Sequence, residues 1–137
     1  DEEDIFIVEN WGPVDDMTDW DNWALEIIGT NNPRSFTPEE LNALPKTEVT
    51  ATQVCSVNGI NGGLVSNIPA RGVLLEDPIE ACGGLPDGAE QMYPQGVDGW
   101  AGEAYAGISV QSMIDRGAII ATEYFDHELT FGEGYPA

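Results

Sequence analysis

The spacing of apolar positions changes several times along the chain, and each change marks an element. Ile5-Phe6-Ile7-Val8 is a short apolar run behind a charged, frayed end, Asp1 to Asp4, and reads as a strand. In Trp23-Ala24-Leu25-Glu26-Ile27-Ile28, the side chains of Trp23, Leu25 and Ile27 alternate onto one face, which predicts a second strand, and Gly29 to Pro33 turns the chain. Ser35-Phe36-Thr37-Pro38-Glu39-Glu40-Leu41 predicts a helix start. Thr37 is the N-cap, Pro38 takes the first helical position, where no amide hydrogen is needed, and Glu40 completes a reciprocal capping box. Pro45 ends that helix. Glu48-Val49-Thr50-Ala51-Thr52-Gln53-Val54-Cys55 alternates apolar and polar, predicting a strand that runs into the turn-rich stretch Ser56 to Gly63.

Farther on, Val65 to Val73 reads as irregular, with Arg71-Gly72 as a turn. A helix is expected from Glu76 to Cys82, with Pro78 in its first turn and Gly83-Gly84 as its stop. Gln91 to Tyr93 and Ala104 to Ile108 predict short strands on either side of a turn, Val97 to Trp100. Ser109 caps a short helix through Ile114, Ala118 to Tyr124 is a buried strand, Phe125 to Glu128 a hairpin turn, and Phe131 to Ala137 a loop. Strands and short helices mix without strict βαβ alternation, so the expectation is one α+β domain over residues 1–137.

Charge narrows the function classes. Twenty-five acids against four bases give a net charge of −21. Such a surface repels phosphate backbones, so the expected partners include no nucleic acid; a cationic protein remains open. No run of 18 apolar residues exists, so no membrane-spanning helix is predicted. High acidity and few cysteines suit work outside the reducing cytoplasm, in a periplasm or an extracellular space.

The candidate chemistry is sparse. Cys55 and Cys82 are too few for a disulfide framework; they form one bond if the fold brings them together and otherwise stay free. His127, alone in its type, excludes a multi-histidine metal site and falls on the expected hairpin turn. Pairs such as Asp15-Asp16 and Glu39-Glu40 read as solvated or helix-start charges. The best candidate is Cys55, a thiol at a strand end that opens onto a cleft, where a glycine loop leaves backbone N–H groups to face a ligand. Asn58 and Asn10 are each either ligand contacts or turn residues.

At this point the order of segments resembles a family. Trp23 to Gly29, Phe36-Thr37-Pro38-Glu39-Glu40-Leu41 with Leu44-Pro45, and Thr50-Ala51-Thr52 with Cys55 look like the start of the oxidoreductase molybdopterin-binding domain. That is the domain of sulfite oxidase, plant nitrate reductase and the bacterial periplasmic methionine-sulfoxide reductase. Gly72-Val73-Leu74-Leu75 with Asp77 and Ile79-Glu80-Ala81, Asp98-Gly99-Trp100, Ala121-Thr122-Glu123-Tyr124 and Gly132 with Gly134-Tyr135-Pro136 resemble its later segments. The resemblance implies an α+β fold with a mixed sheet and short helices, holding molybdenum on a pterin dithiolene. Cys55 falls at the one protein ligand to the metal, with Asn10, Asn58 and Arg71 as cofactor contacts and an electron-transfer protein as partner. Relatives that are often exported add to the expectation of export.

The same comparison shows departures. Glu9, Asn10 and Trp11 stand where the family has a basic residue, Asn and His. Gly59-Ile60-Asn61 follows Asn58 where basic residues are common, and the chain ends at Tyr135-Pro136-Ala137, before further arginine and lysine contacts. A phosphate-bearing, anionic cofactor needs such cations. Three readings follow. The first is a truncated or degenerate domain, incomplete at its C-terminus, without cofactor or activity as this chain. The second is the N-terminal portion of a working molybdenum oxidoreductase that transfers an oxygen atom or two electrons. The third is an exported acidic binding module on a cofactor-free version of the fold.

Overall fold

A computed structural model describes residues 22–55, 58–96, 107–130 and 133. The expectations for Asp1 to Asp4, the Ile5 to Val8 strand, Asn10 and the Val97 to Trp100 turn lie outside the described residues, as do Ala104 to Ala106 and most of Phe131 to Ala137.

The chain begins with a hairpin, β1 (Leu25–Ile27) against β2 (Arg34–Phe36). Helix α1 (Pro38–Asn42) follows, capped as its sequence predicts. Thr37 Oγ1 accepts from the Glu40 N–H at 3.2 Å, and the Glu40 carboxylate accepts from the Thr37 N–H at 3.0 Å. Two otherwise orphaned helix donors are satisfied this way, so Thr37→Ala should lower unfolding stability by about 1 kcal/mol, read by chemical denaturation. An unchanged midpoint would mean that Pro38 and the Arg34–Glu40 ion pair, 3.0 Å long, hold the helix start without the hydroxyl.

Strand β3 (Lys46–Val54) then pairs antiparallel with β4 (Val65–Leu74) along its whole length, Lys46 opposite Val73 and Val54 opposite Val65. Helix α2 (Glu76–Ala81) ends as expected in two left-handed glycines, Gly83 (φ 77°) and Gly84 (φ 79°). Strands β5 (Gln91–Met92) and β6 (Ile108–Ser109) form a small pair. Helix α3 (Val110–Asp115) is capped by the Ser109 hydroxyl. Strand β7 (Ile119–Tyr124) and β8 (His127–Glu128) close a tight hairpin through Phe125 and Asp126, and the main sheet runs β3-β4-β7-β8.

Two expectations change. Every strand pair among the described residues is antiparallel, so the sheet there is not mixed. Residues 65–74 are also a central strand, not an irregular segment with a turn at Arg71-Gly72. Pro69 and Gly72 suggested the irregularity, and each has a different local reason. The Phe125 N–H donates to the Pro69 carbonyl at 2.8 Å, so the polar side of Pro69 faces the β7–β8 turn; its missing N–H costs no bond to β3. Gly72 sits where the register against β7 slips by one residue, a bulge. A Cβ there would lie 2.0 Å from the Ile120 carbonyl oxygen.

The core has two parts joined by Ile120. Phe36, Leu41, Val73 and Cys82 pack with Leu25, Ile27 and Leu44; Leu75, Ile79 and Val110 pack with Met92, Met113 and Ala118. The first part is clasped from outside. Asn31 donates its backbone N–H to the Gly84 carbonyl (3.0 Å) and its side-chain amide to the Gly83 carbonyl (2.9 Å), and the Asn32 N–H donates to Cys82 (2.7 Å). These donors satisfy carbonyls at and just beyond the end of α2.

Candidate functional site

Cys55 lies directly after β3, half-buried and free. Its backbone is tied on both sides: its N–H donates to the Leu64 carbonyl at 3.1 Å, and its carbonyl accepts from the Asn58 N–H at 3.0 Å. Asn58 is therefore beside Cys55, as the strand-to-loop sequence predicts. Its side chain faces inward across the loop, where Oδ1 accepts from the Leu64 N–H at 3.1 Å. A Cβ on Gly62 would come within 2.1 Å of that oxygen, so Gly62 is a glycine because Asn58 fills the loop. The turn role of Asn58 is thus realised, and the left-handed residue of the loop is Asn61 (φ 62°).

Cys82 is fully buried in the core, and both thiols are free, so the alternative of a Cys55–Cys82 disulfide is not formed.

Arg71 is not brought to Cys55. It stands opposite Glu48, seven residues from Cys55 along β3, or roughly 23 Å at the ~3.3 Å rise of a strand. There it joins a chain of charges. The Glu123 carboxylate takes the Lys46 ammonium on one oxygen and Arg71 Nη1 on the other at 3.3 Å, and Arg71 also approaches Glu48 at 4.0 Å. The hydrogen bond from Lys46 is the main cause holding the Glu123 carboxyl below its usual range. Burial opposes the shift, and the charges of Lys46 and Arg71 add to it.

Beside this chain lies an open groove of about 490 Å3, lined by Glu48, Thr50, Pro69, Arg71, Glu123 and Phe125 among others. Cys55 does not line it, so the groove belongs to the middle of the sheet and not to the thiol. Phe125, at its rim, has a left-handed backbone (φ 51°), forced by the two-residue turn between β7 and β8.

His127 is the first residue of β8, so the turn is Phe125-Asp126 and His127 follows it where the expected turn included it; its Nε2 meets the Glu133 carboxylate at 3.2 Å. Burial pushes the Glu133 carboxyl up, but hydrogen bonds from Thr130 and from His127 outweigh it and hold the group low. Burial, and then the Glu133 charge, push the Tyr124 hydroxyl up. No cluster of three metal-ligating side chains occurs among the described residues.

The fit to an anionic metal–pterin is therefore divided. A half-buried thiol at a strand end suits a soft, redox-active metal. Few cations are left for the phosphate: Arg34, Lys46 and Arg71 are held by carboxylates, which leaves Arg116 at the end of α3. The side chains of the described residues do not fit the whole group.

A search of curated proteins finds no match. Among solved structures, the sulfane dehydrogenase SoxCD from Paracoccus pantotrophus superposes with a TM-score of 0.73 at 22% identity, covering 87% of this chain. The chain spans only 33% of the length of that relative, and at this identity the likeness speaks for the fold. The sequence profile of the oxidoreductase molybdopterin-binding domain matches residues 11–137, from ahead of β1 to the last residue. That match takes in α1, β3 with Cys55 after it, and α2, and the chain belongs to the oxidoreductase molybdopterin-binding domain family, the family of sulfite oxidase.

Proposed function

We propose that this chain is the cysteine-bearing part of a molybdopterin-dependent oxidoreductase domain, with Cys55 as the residue that would meet the metal, and that the chain by itself does not retain the cofactor. The observation that carries the second clause is the commitment of three of the four cations. Lys46 and Arg71 neutralise Glu123, and Arg34 neutralises Glu40, so a phosphate that drew on any cation but Arg116, at the end of α3, would have to break an ion pair. The observation that carries the first is the setting of Cys55. Its backbone is tied to Leu64 and Asn58 by main-chain bonds, and no acidic side chain occurs in residues 49–75, so its neighbours along the chain set no carboxylate against an anionic group. We derive no reaction step from this site.

Elemental analysis tests the proposal. The 137-residue chain, purified from a host that makes the cofactor, should carry less than a tenth of an equivalent of molybdenum. Should the native gene encode a longer protein, that protein should carry close to one equivalent, and Cys55→Ser should remove it without unfolding the domain. Stoichiometric metal on the short chain would refute the second clause, and full loading of the longer Cys55→Ser protein would refute the first.

We further propose export from the cytoplasm and an electron-transfer protein with a basic face as partner. The net charge of −21 supports both. No helix among the described residues is long and apolar enough to cross a membrane. A leader sequence at the start of the native gene would support export, and a gene product retained in the cytoplasm would refute it.

A further inference from the structure

Charge is distributed unevenly over this fold. Residues 49–75 contain one charged side chain, Arg71, while all twenty-five acids lie elsewhere. That stretch is most of the β3–β4 hairpin, and among the described residues β3 is an edge of the main sheet. Residues Thr50 to Val54 are all exposed, with Val54 at 56% and its cross-strand partner Val65 at 46%.

The direction of the β3 backbone groups follows from two bonds. The Cys55 N–H donates to Leu64, so Cys55 and the residues in step with it, Gln53, Ala51 and Val49, point their polar groups at β4. Pro69 turns its carbonyl to the β7 side, so Thr50, opposite it, points its N–H and C=O outward, as do Glu48, Thr52 and Val54. An exposed edge that is uncharged from Val49 to Val54, with outward donors and acceptors, is a template for another strand.

We propose that this edge pairs antiparallel with β3 of a second copy of the chain, about a two-fold axis at Ala51. Charge selects the occupant. Two bodies of −21 repel wherever acids face acids, and the stretch from Val49 to Leu75, with no carboxylate, is the surface through which they can meet. The register is self-complementary, because the axis sets Thr50 of one copy opposite Thr52 of the other and Glu48 opposite Val54. It keeps the two Glu48 side chains roughly 20 Å apart, six residues at the ~3.3 Å rise of a strand. The inference does not rest on cofactor binding, since Cys55 takes no part in the pairing.

Site-specific cross-linking tests it on the 137-residue chain. Ala51→Cys, in a Cys55→Ser background with Cys82 fully buried, places two thiols on the axis as a non-hydrogen-bonded pair. Their Cα atoms would be about 4.5 Å apart, within disulfide range. Mild oxidation should give a covalent dimer, and Gln53→Cys in the same background should not. Sedimentation of the parent chain should show a dimer that strengthens at least tenfold from 10 mM to 300 mM salt, as screening removes the repulsion of the acidic bodies. Thr52→Pro, which deletes an outward N–H and no bond to β4, should weaken the dimer at least tenfold. Thr52→Glu should do the same if the proline variant is misfolded. A chain monomeric at all concentrations and salts would overturn the proposal. So would cross-linking of Gln53→Cys as readily as Ala51→Cys, or an association that weakens with salt, the mark of a cationic partner surface.

Discussion

Gly72→Ala should destabilise the domain by about 3 kcal/mol, the upper range for forcing an atom into packed structure. The new methyl would stand 2.0 Å from the Ile120 carbonyl oxygen and 2.8 Å from the Ala121 Cα, both backbone atoms, so no side-chain rotation relieves the clash. The β4–β7 bulge would have to open, and with it the contact of Val73 and Ile120 that joins the two parts of the core. Gly63→Ala is the control, because a methyl there meets nothing within 4 Å; its effect should stay within about 0.5 kcal/mol. Denaturant midpoints of the two variants measure the difference. Equal midpoints would show that the bulge yields and that Gly72 is not held by close approach.

Glu123→Gln should cost about 2 kcal/mol at pH 7. A fully buried ion pair loses about 3–5 kcal/mol when one partner is removed, and an exposed pair about 0–1. Glu123 and Lys46 lie between these limits, with side chains 20% and 15% exposed. The loss should depend on pH in one direction. The carboxyl is held below its ordinary value of 4.5 in the folded chain, chiefly by the Lys46 hydrogen bond. Its stabilisation is therefore fully present above that value and disappears as pH falls through the lower folded-state value. Urea unfolding of both proteins at pH 7 and near pH 2 should show the gap closing at acid pH. A gap of constant size would mean that shape, and not charge, holds Glu123 in place.

Local chemistry was legible where it repeats a short grammar. Thr37, Pro38 and Glu40 announced α1, Gly83-Gly84 announced the end of α2, and Ser109 announced α3, because each acts within a few residues of itself. The strand at residues 65–74 was hidden because Pro69 and Gly72 have meaning only against β7, some fifty residues away. The site divides in the same manner. The meeting of Cys55 and Asn58 follows from one strand and one turn, and it was expected. The placement of Arg71 beside Glu123 depends on the register of three strands, which no spacing along the chain encodes. The Lys46–Glu123–Arg71 chain was missed for that reason, although Lys46 and Glu48 on an alternating strand hinted at a charged face.

The asparagine clasp has a consequence during synthesis. The β1–β2 hairpin is translated well before the residues it grips: Phe36 precedes Gly84 by 48 residues. At about 5–20 residues per second, the ribosome takes roughly 2 to 10 seconds to cover that gap. During that interval Leu25, Ile27 and Phe36 have neither Val73 nor Cys82 to cover them. The nascent chain must keep this apolar face soluble until α2 emerges, and the acid-rich segment made just before it, residues 1–24 with nine carboxylates, is already made to hold neighbouring chains apart.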